Sequence, residues 1–404
     1  MVARHTMLLA LICLLSLGCA ARAADAEPAF AREITGQAEI TVSRGKATRV
    51  NLTDRDYRTE WQGQDGAYVD IRLPDDLPCF GLSVLVSGDP YSLSVQAETP
   101  FGWQAVDIPG ERFNTQYIPL PGVTHLSIVP SNGKSFRLME LRLFSEGEPP
   151  KDVVRFTATA DKSDLMVLAC HPDDDILWMG GLMPTYAGQL GMNVQLVYMT
   201  ARFSYRRCEA MDALWHCGVT TGPVFVGLPD ITDPSYTDAV AQWGGLTEIG
   251  RKIARVIRQC RPEVLVTQDV KGEYGHTQHR AMVAACNLAV RFAADPNERS
   301  LRDLPAWEVR KYYIHLYKEQ PLTLDFEQPL SAFGGRSAFE IAQEAFALHK
   351  SQQSGRYAVA VDGPYDIRRY GLAYSTVGED ENHDGLFEHI DGLYELEQTL
   401  IRRP

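Results

Sequence analysis

Near residue 147 the hydrophobic pattern of this 404-residue chain changes period, and that break constrains the fold more than any other feature. Before it, apolar and polar residues alternate over short runs, as in Tyr68-Val69-Asp70-Ile71-Arg72-Leu73 and Leu138-Met139-Glu140-Leu141-Arg142-Leu143-Phe144. A period of two puts alternate side chains on opposite faces of a strand. Candidate strands are Ala38–Ser43, Thr48–Leu52, Tyr68–Leu73, Leu82–Ser87, Tyr91–Glu98, Trp103–Ile108, Thr115–Leu120, His125–Ser131 and Leu138–Phe144, separated by turns such as Ser131-Asn132-Gly133. This spacing predicts an antiparallel β-sandwich over residues 36–146, with one solvated face on each sheet. It holds no His/Asp/Glu cluster suited to catalysis.

Residues 147–155 contain the polar, proline-paired run Gly147-Glu148-Pro149-Pro150-Lys151 and read as a stiff linker. From 156 to 404 the texture is different. Leu165–Cys170, Asn193–Thr200, Pro223–Leu228 and Val264–Gln268 are continuous apolar runs, with helical patterns at Leu177–Gly191, Arg206–Cys217 and Leu246–Cys260 between them. In the last helix Ile249, Ile253, Val256, Ile257 and Cys260 form one buried stripe. Buried strands alternating with helices predict an α/β unit, a Rossmann-like, mostly parallel sheet with helices on both faces. Ligands of such sheets bind beyond the carboxyl ends of the strands, which directs attention to the loops after Cys170 and Gln268.

Composition narrows the function classes. Forty-five per cent apolar and 23% charged residues are ordinary for a globular chain and exclude disorder as its main state. Thirty-nine basic against 52 acidic side chains give a net charge of −13, which disfavours binding to a phosphate backbone. After the first 25 residues no run reaches the roughly 20 apolar residues of a membrane span. Residues 1–23 have the anatomy of a secretory signal peptide: Arg4 and His5, the apolar run Met7–Leu17, then Ala21-Arg22-Ala23 before a cleavage point. A variant reading ends the leader before Cys19, which would then carry a lipid. Both predict export, to a periplasmic, secreted or lipid-anchored location, and removal of Arg4 and Arg22 takes the charge to −15. The cysteines Cys79, Cys170, Cys208, Cys217, Cys260 and Cys286 are too sparse for a disulfide scaffold and read mostly as buried thiols.

The loop after the first buried strand reads His171-Pro172-Asp173-Asp174-Asp175, and the loop after Val264–Gln268 contains Gly272-Glu273-Tyr274-Gly275-His276-Thr277-Gln278-His279. Two loops at one sheet rim therefore bring together imidazoles and carboxylates. That mixture suits Zn²⁺ or another divalent transition metal, and catalytic zinc commonly takes three protein ligands.

These two loops resemble the signature motifs of the PIG-L/LmbE-like zinc N-deacetylases, over about residues 160–400. Arg206-Arg207-Cys208-Glu209 opening a helix, Cys217-Gly218-Val219 ending it, and Gly227-Leu228-Pro229-Asp230 support the resemblance. It implies His171, Asp174 and His279 as metal ligands, Asp173 as general base, His276 as stabiliser or proton donor to the intermediate, and Tyr274 as a polarising donor. Asp230 and Arg202 become candidates for substrate contact. The implied reaction is removal of an N-acetyl group from a GlcNAc- or GalNAc-type sugar in a glycan. Alternative readings are an amidase for another N-acyl substrate, or a glycan-binding protein whose deacetylase-like domain is inactive; retention of the implied ligands and base favours activity.

Three positions depart from the family pattern. Asp175 stands where Glu is usual, and is expected to stabilise the next helix N-terminus. Thr277-Gln278 replaces Pro-Asp, which leaves open what supports His279. Arg202 lies in divergent surroundings. In the first half, Leu52–Trp61, the strand Tyr68–Leu73 and Leu141–Phe144 resemble a discoidin or galactose-binding-like sandwich, which implies possible glycan binding; Trp61 and Trp103 are either stacking platforms or core. Asp380-Glu381-Asn382-His383-Asp384-Gly385 begins like a calcium loop, with Asp391 in the twelfth position where Glu is usual, and a surface turn is the better reading.

Overall fold

A computed structural model of the protein describes residues 29–43, 52–63, 66–131 and 135–401. Residues 1–23 with Cys19, the Asn132-Gly133 turn and all of the Thr48–Leu52 segment except Leu52 lie outside the described residues.

The first half forms two antiparallel sheets. Strands β1 (Glu39–Val42), β3 (Val69–Arg72), β5 (Leu93–Thr99), β6 (Gly102–Val106) and β8 (His125–Pro130) pair in the order β1-β3-β8-β5-β6. Strands β2 (Trp61–Gly63), β4 (Cys79–Ser87), β7 (Thr115–Val123) and β9 (Phe136–Phe144) pair in the order β2-β9-β4-β7. Alternation sets the layers: Val69 and Ile71 enter the shared core with Val84, Val95, Ile128 and Leu141, while Arg72 stays exposed. Trp61 is core, fully buried and edge-on to Phe136 at 5.2 Å, whereas Trp103 stays 44% exposed on β6.

The prediction of one solvated face per sheet fails for the four-stranded sheet. Leu85, Met139 and Glu140 on its outer face are buried, and Leu85 and Met139 cluster with Cys208 of the following domain. Periodicity within β9 could not show this, because the cover comes from a helix more than 60 residues away. The 147–155 segment is packed as well: Val153 and Val154 are buried, and Asp152 pairs with Arg142 at 2.8 Å.

The second half is built on a seven-stranded sheet. Its strands are β10 (Ser163–Ala169), β11 (Val194–Thr200), β12 (Val224–Leu228), β13 (Pro262–Thr267), β14 (Lys311–His315), β15 (Pro321–Thr323) and β16 (Arg369–Ser375), in the order β12-β11-β10-β13-β14-β16-β15. Pairings from β12 to β14 are parallel, and β16 and β15 add an antiparallel edge, so the sheet is mixed. Helices α1 (Asp174–Met179), α2 (Ser204–His216), α3 (Tyr236–Gln242), α4 (Leu246–Cys260), α5 (Thr277–Ala294), α6 (Ala338–Leu348) and α7 (Leu393–Ile401) complete it.

Both faces are covered. Leu165, Val167 and Ala169 of β10 join one core with residues of α1, α2 and α6, while Met166 and Leu168 join a second with α4 and α5. In α4 the stripe Ile249, Ile253, Val256, Ile257 and Cys260 is buried as its spacing requires. Burying each such side chain stabilises the fold by about 1.5–3 kcal/mol. The helical pattern Leu177–Gly191 resolves into α1 and a π-helical stretch, Met183–Gln189. Between them Gly181 lies so close to Phe326 that a Cβ would meet its ring at 2.0 Å.

The strand order decides where a ligand can bind. From β10 the chain winds outward through β11 to β12, and from β13 it winds the other way to β14. The carboxyl ends of β10 and β13 therefore flank the switch point, where diverging loops leave a crevice. Among the described residues no helix is long and apolar enough to cross a membrane.

Candidate active site

The loop after β10 turns directly into α1, and its backbone is strained. Asp173 has φ +153°, a conformation that costs a non-glycine residue on the order of 1–3 kcal/mol and concentrates at functional sites. The loop after β13 enters α5 through Gly272, whose φ is +71°. A Cβ at Gly272 would lie 2.4 Å from the His276 carbonyl oxygen, so the loop closes only over glycine.

These loops bring three donor atoms together. His171 Nδ1 is 3.0 Å from Asp174 Oδ2 and 3.1 Å from His279 Nε2, and His279 Nε2 is 3.1 Å from Asp174 Oδ2. Ligands of a tetrahedral ion at about 2.0–2.1 Å stand roughly 3.3 Å apart, close to this spacing. Each of the three residues also has a partner behind it, on its other polar atom. His279 Nδ1 is 2.8 Å from Glu273 Oε2, and Trp178 Nε1–H donates to Asp174 Oδ1 at 3.0 Å. His171 Nε2 faces Gln278 Oε1 at 3.4 Å. Converging lone pairs, each oriented from behind, fit a divalent metal.

Cys170 also lies near, but its Sγ sits 3.9 Å from His171 Nε2, beside the ring nitrogen that faces away from the other donors. Burial pushes its thiol pKa well up, with Asp174 and Asp230 adding to the shift. The three mutual contacts of 3.0–3.1 Å among His171, Asp174 and His279 make that set the better-formed metal site.

Asp173 stands beside this set. Arg206, from α2, donates Nη2–H to Asp173 Oδ1 at 2.6 Å and lies 3.7 Å from Asp230 Oδ2. Burial raises Asp173 to about 6 against the opposing pull of Arg206. Asp174 is also raised by burial, but His279 and the hydrogen bond with His171 outweigh this and hold it well below the carboxylate range. His276 packs 4.3 Å from the His279 ring and 4.9 Å from that of His171. Burial first, then the two neighbouring imidazoles, lowers it to about 3, and its Nδ1 has no partner. Tyr274, 39% exposed, has its ring 5.6 Å from that of His276, and its hydroxyl pKa is raised, chiefly by burial.

The structure thus gathers His171, Asp173, Asp174, Tyr274, His276 and His279, with Asp230 3.7 Å from His171 Nε2. It does not bring Arg202 to them. That guanidinium lies over the Phe203 ring at 5.0 Å, and Arg206, one helical turn later, contacts the cluster instead. Asp175 is more than a helix-end charge: it is fully buried, accepts the Tyr198 hydroxyl at 2.8 Å, and is raised to about 7 by burial.

Sequence reasoning missed Glu273, Gln268 and Trp178. Glu273 answers what supports His279, for its Oε1 also accepts Asp269 N–H at 2.9 Å while His315 Nδ1 approaches to 3.4 Å. Burial raises Glu273, but the bonded histidines lower it further, so it stays ionised. Gln268 accepts Cys170 N–H at 2.7 Å and ties the two strand ends together. The signal available for Glu273 was its place in the same loop, six residues before His279.

Residues 166–290 match the family PIG-L: GlcNAc-PI de-N-acetylase. The match contains both loops, α2 and the turn with Asp230. Among curated relatives, a 1D-myo-inositol 2-acetamido-2-deoxy-alpha-D-glucopyranoside deacetylase 1 of Catenulispora acidiphila is 27% identical over 57% of this chain and 79% of its own length. A 1D-myo-inositol 2-acetamido-2-deoxy-alpha-D-glucopyranoside deacetylase of Geodermatophilus obscurus is 29% identical over 55% of this chain and 84% of its own. A solved N,N'-diacetylchitobiose deacetylase from Pyrococcus horikoshii shares 20% identity over 48% of this chain and 71% of that one, at a TM-score of 0.36.

The calcium reading of the tail fails on side-chain use. Asp380 is buried and engaged by Lys311 and by the Tyr313 hydroxyl at 2.8 Å. Glu388 accepts backbone N–H groups of Glu381, Asn382 and His383, and Asp384 accepts the Tyr394 hydroxyl. These carboxylates hold the turn itself.

Proposed function

We propose that the protein is an exported metal-dependent amidase that removes the N-acetyl group from an amino sugar of the GlcNAc or GalNAc type within a glycan. The observation that carries this is the convergence of His171, Asp174 and His279 beside Asp173 at the switch point of the sheet. The deacetylase names of the relatives and the PIG-L match point to the same chemistry. Export rests on the pattern of residues 1–23, and the mass of the mature amino terminus would test it.

His171, Asp174 and His279 would hold Zn²⁺, which supplies Lewis acidity and lowers the pKa of bound water to about 7. Asp173 takes the proton from the attacking water and passes one to the departing amine, acting as base and then acid. Arg206 holds that carboxylate in place through the 2.6 Å contact. His276, neutral through burial, and Tyr274, protonated throughout the working range, present hydrogen-bond donors to the oxyanion. Asp230 lies where it can accept a substrate hydroxyl.

Zinc-loaded protein is expected to release acetate from N-acetylglucosamine or N-acetylgalactosamine glycans, to lose this on chelation and to regain it with metal. Inactivity of the loaded protein across a broad N-acyl panel would sink the reading.

A further inference from the structure

The segment between α6 and β16 returns to the candidate site and brings two tyrosines that neither the loop motifs nor the family match contain. Tyr357 stacks on Tyr274 with centroids 4.7 Å apart and planes at 25°. Trp178 meets Tyr357 edge-on at 5.3 Å and Tyr365 edge-on at 5.3 Å. Trp178 is itself bonded to Asp174, so the aromatic group is registered to a metal-ligand candidate. Arg356 lies over both stacked rings, 5.9 Å from Tyr274 and 5.2 Å from Tyr357.

Tyr357 and Tyr365 pack on the edge of the domain core, and two features fit them for recognition as well. Tyr274, Tyr357 and Tyr365 are all partly solvent-accessible. Among the described residues none of their hydroxyls is hydrogen-bonded to the protein, although Tyr186, Tyr198 and Tyr313 in the same domain each bond a carboxylate. Flat apolar faces with free hydroxyls complement a pyranose, which presents C–H groups on its faces and hydroxyls around its edge. The Tyr274 ring lies 5.6 Å from that of His276 and 5.9 Å from that of His279, and Tyr357 extends this aromatic surface through its contact with Tyr274.

We propose that Tyr357 and Tyr365, with Tyr274, form a subsite for a second sugar ring adjacent to the N-acetylated one. On the deacetylase reading above, this makes the enzyme one that prefers oligosaccharides to the free N-acetyl monosaccharide, and Tyr357 determines that preference by stacking.

The test is kcat/KM of the metal-loaded, full-length protein on N-acetylglucosamine oligomers of one to four units. Wild type is expected to favour the dimer over the monomer by at least about tenfold. Tyr357→Ala should cut that ratio about fivefold to tenfold through KM, while Tyr357→Phe and Tyr357→Trp, which keep a ring to stack, should preserve it within about twofold. The aromatic variants cover the case in which the alanine variant folds poorly, since loss of the ratio in both would mean that stacking is not the device. Active wild type that uses monomer and dimer equally, or an alanine variant that keeps the ratio, overturns the subsite. Wild type inert on every oligomer instead removes the amino-sugar reading on which the subsite rests.

Discussion

Replacing Glu273 by glutamine tests whether the metal site depends on the groups behind its ligands. The Glu273 side chain is fully buried, and its two shortest contacts are to His279 Nδ1 at 2.8 Å and Asp269 N–H at 2.9 Å, with Gln268 Nε2 and His315 Nδ1 at 3.3 and 3.4 Å. Its carboxylate holds a proton on His279 Nδ1, so Nε2 is the nitrogen that would be given up to a metal; without one, Asp174 and Glu273 outweigh burial and raise His279 to about 10. Glutamine has the same shape but one acceptor oxygen, so one of the two buried donors must face an amide N–H₂. Losing such a carboxylate–histidine contact typically costs 10–100-fold in metal affinity, or about 1.4–2.7 kcal/mol. The unmatched donor adds a stability cost of about 1–3 kcal/mol. Competition of the protein with a chromophoric chelator for Zn²⁺ reads the first quantity, and chemical denaturation of the metal-free protein reads the second. His279→Ala serves as the reference for a lost ligand. Zinc affinity of Glu273→Gln within about twofold of wild type, with His279→Ala abolishing binding, would refute the reasoning.

Three further outcomes are expected. Asp173→Ala should lower kcat by about 10²–10⁴-fold while zinc content measured on the purified protein stays at the wild-type level. Gly272→Ala should destabilise the fold by at least about 1–2 kcal/mol in denaturant, because it combines a φ of +71° with a Cβ placed 2.4 Å from the His276 carbonyl. Asp212, half-buried under the sandwich with Tyr57 O–H donating to it at 2.7 Å, is raised to about 7, chiefly by desolvation. Between the ordinary aspartate value of 3.8 and about 7 the folded state keeps a proton that the unfolded chain has lost, so stability falls as pH rises through that window. Asp212→Asn should flatten this slope in melting curves from pH 4 to 8, and an unchanged slope would count against the burial argument.

The Asp212 environment shows a limit of pattern reading. Glu140, Thr115 and Arg142 on the sandwich meet Asp212, Trp215 and Lys350 around an interdomain cavity of about 600 Å³. Strict alternation in β9 would part Leu138 from Leu141 and Leu143, but a register shift opposite Leu85 and Val86 lets all three join the sandwich core and leaves Glu140 on the other face, where it is buried and raised to about 7 by that burial. A two-residue period reports which side of a strand a residue occupies. It carries no information on whether a distant helix covers that side.

The same distinction runs through the candidate site. Strands β10 to β13, the stripe on α4 and the placement of both functional loops were legible, because each follows from residues within one element or at its end. His171, Asp173, Asp174, His276 and His279 were legible for the same reason: two short loops carry them all. Glu273 lay in plain view, but its role depends on which way a side chain turns inside a strained loop.

Local sequence, then, determined two textures, a β-rich half and an α/β half, and the chemistry of the two loops after β10 and β13, since hydrogen-bonding geometry and side-chain alternation act over a few residues. Tertiary structure alone decided the strand order that makes the β10/β13 edge a crevice and the choice of Arg206 over Arg202 beside Asp173. It also decided the meeting of Trp178, Tyr274, Tyr357 and Tyr365. Those pairings span tens to more than a hundred residues and arise from packing whole layers together, a constraint that no local pattern encodes.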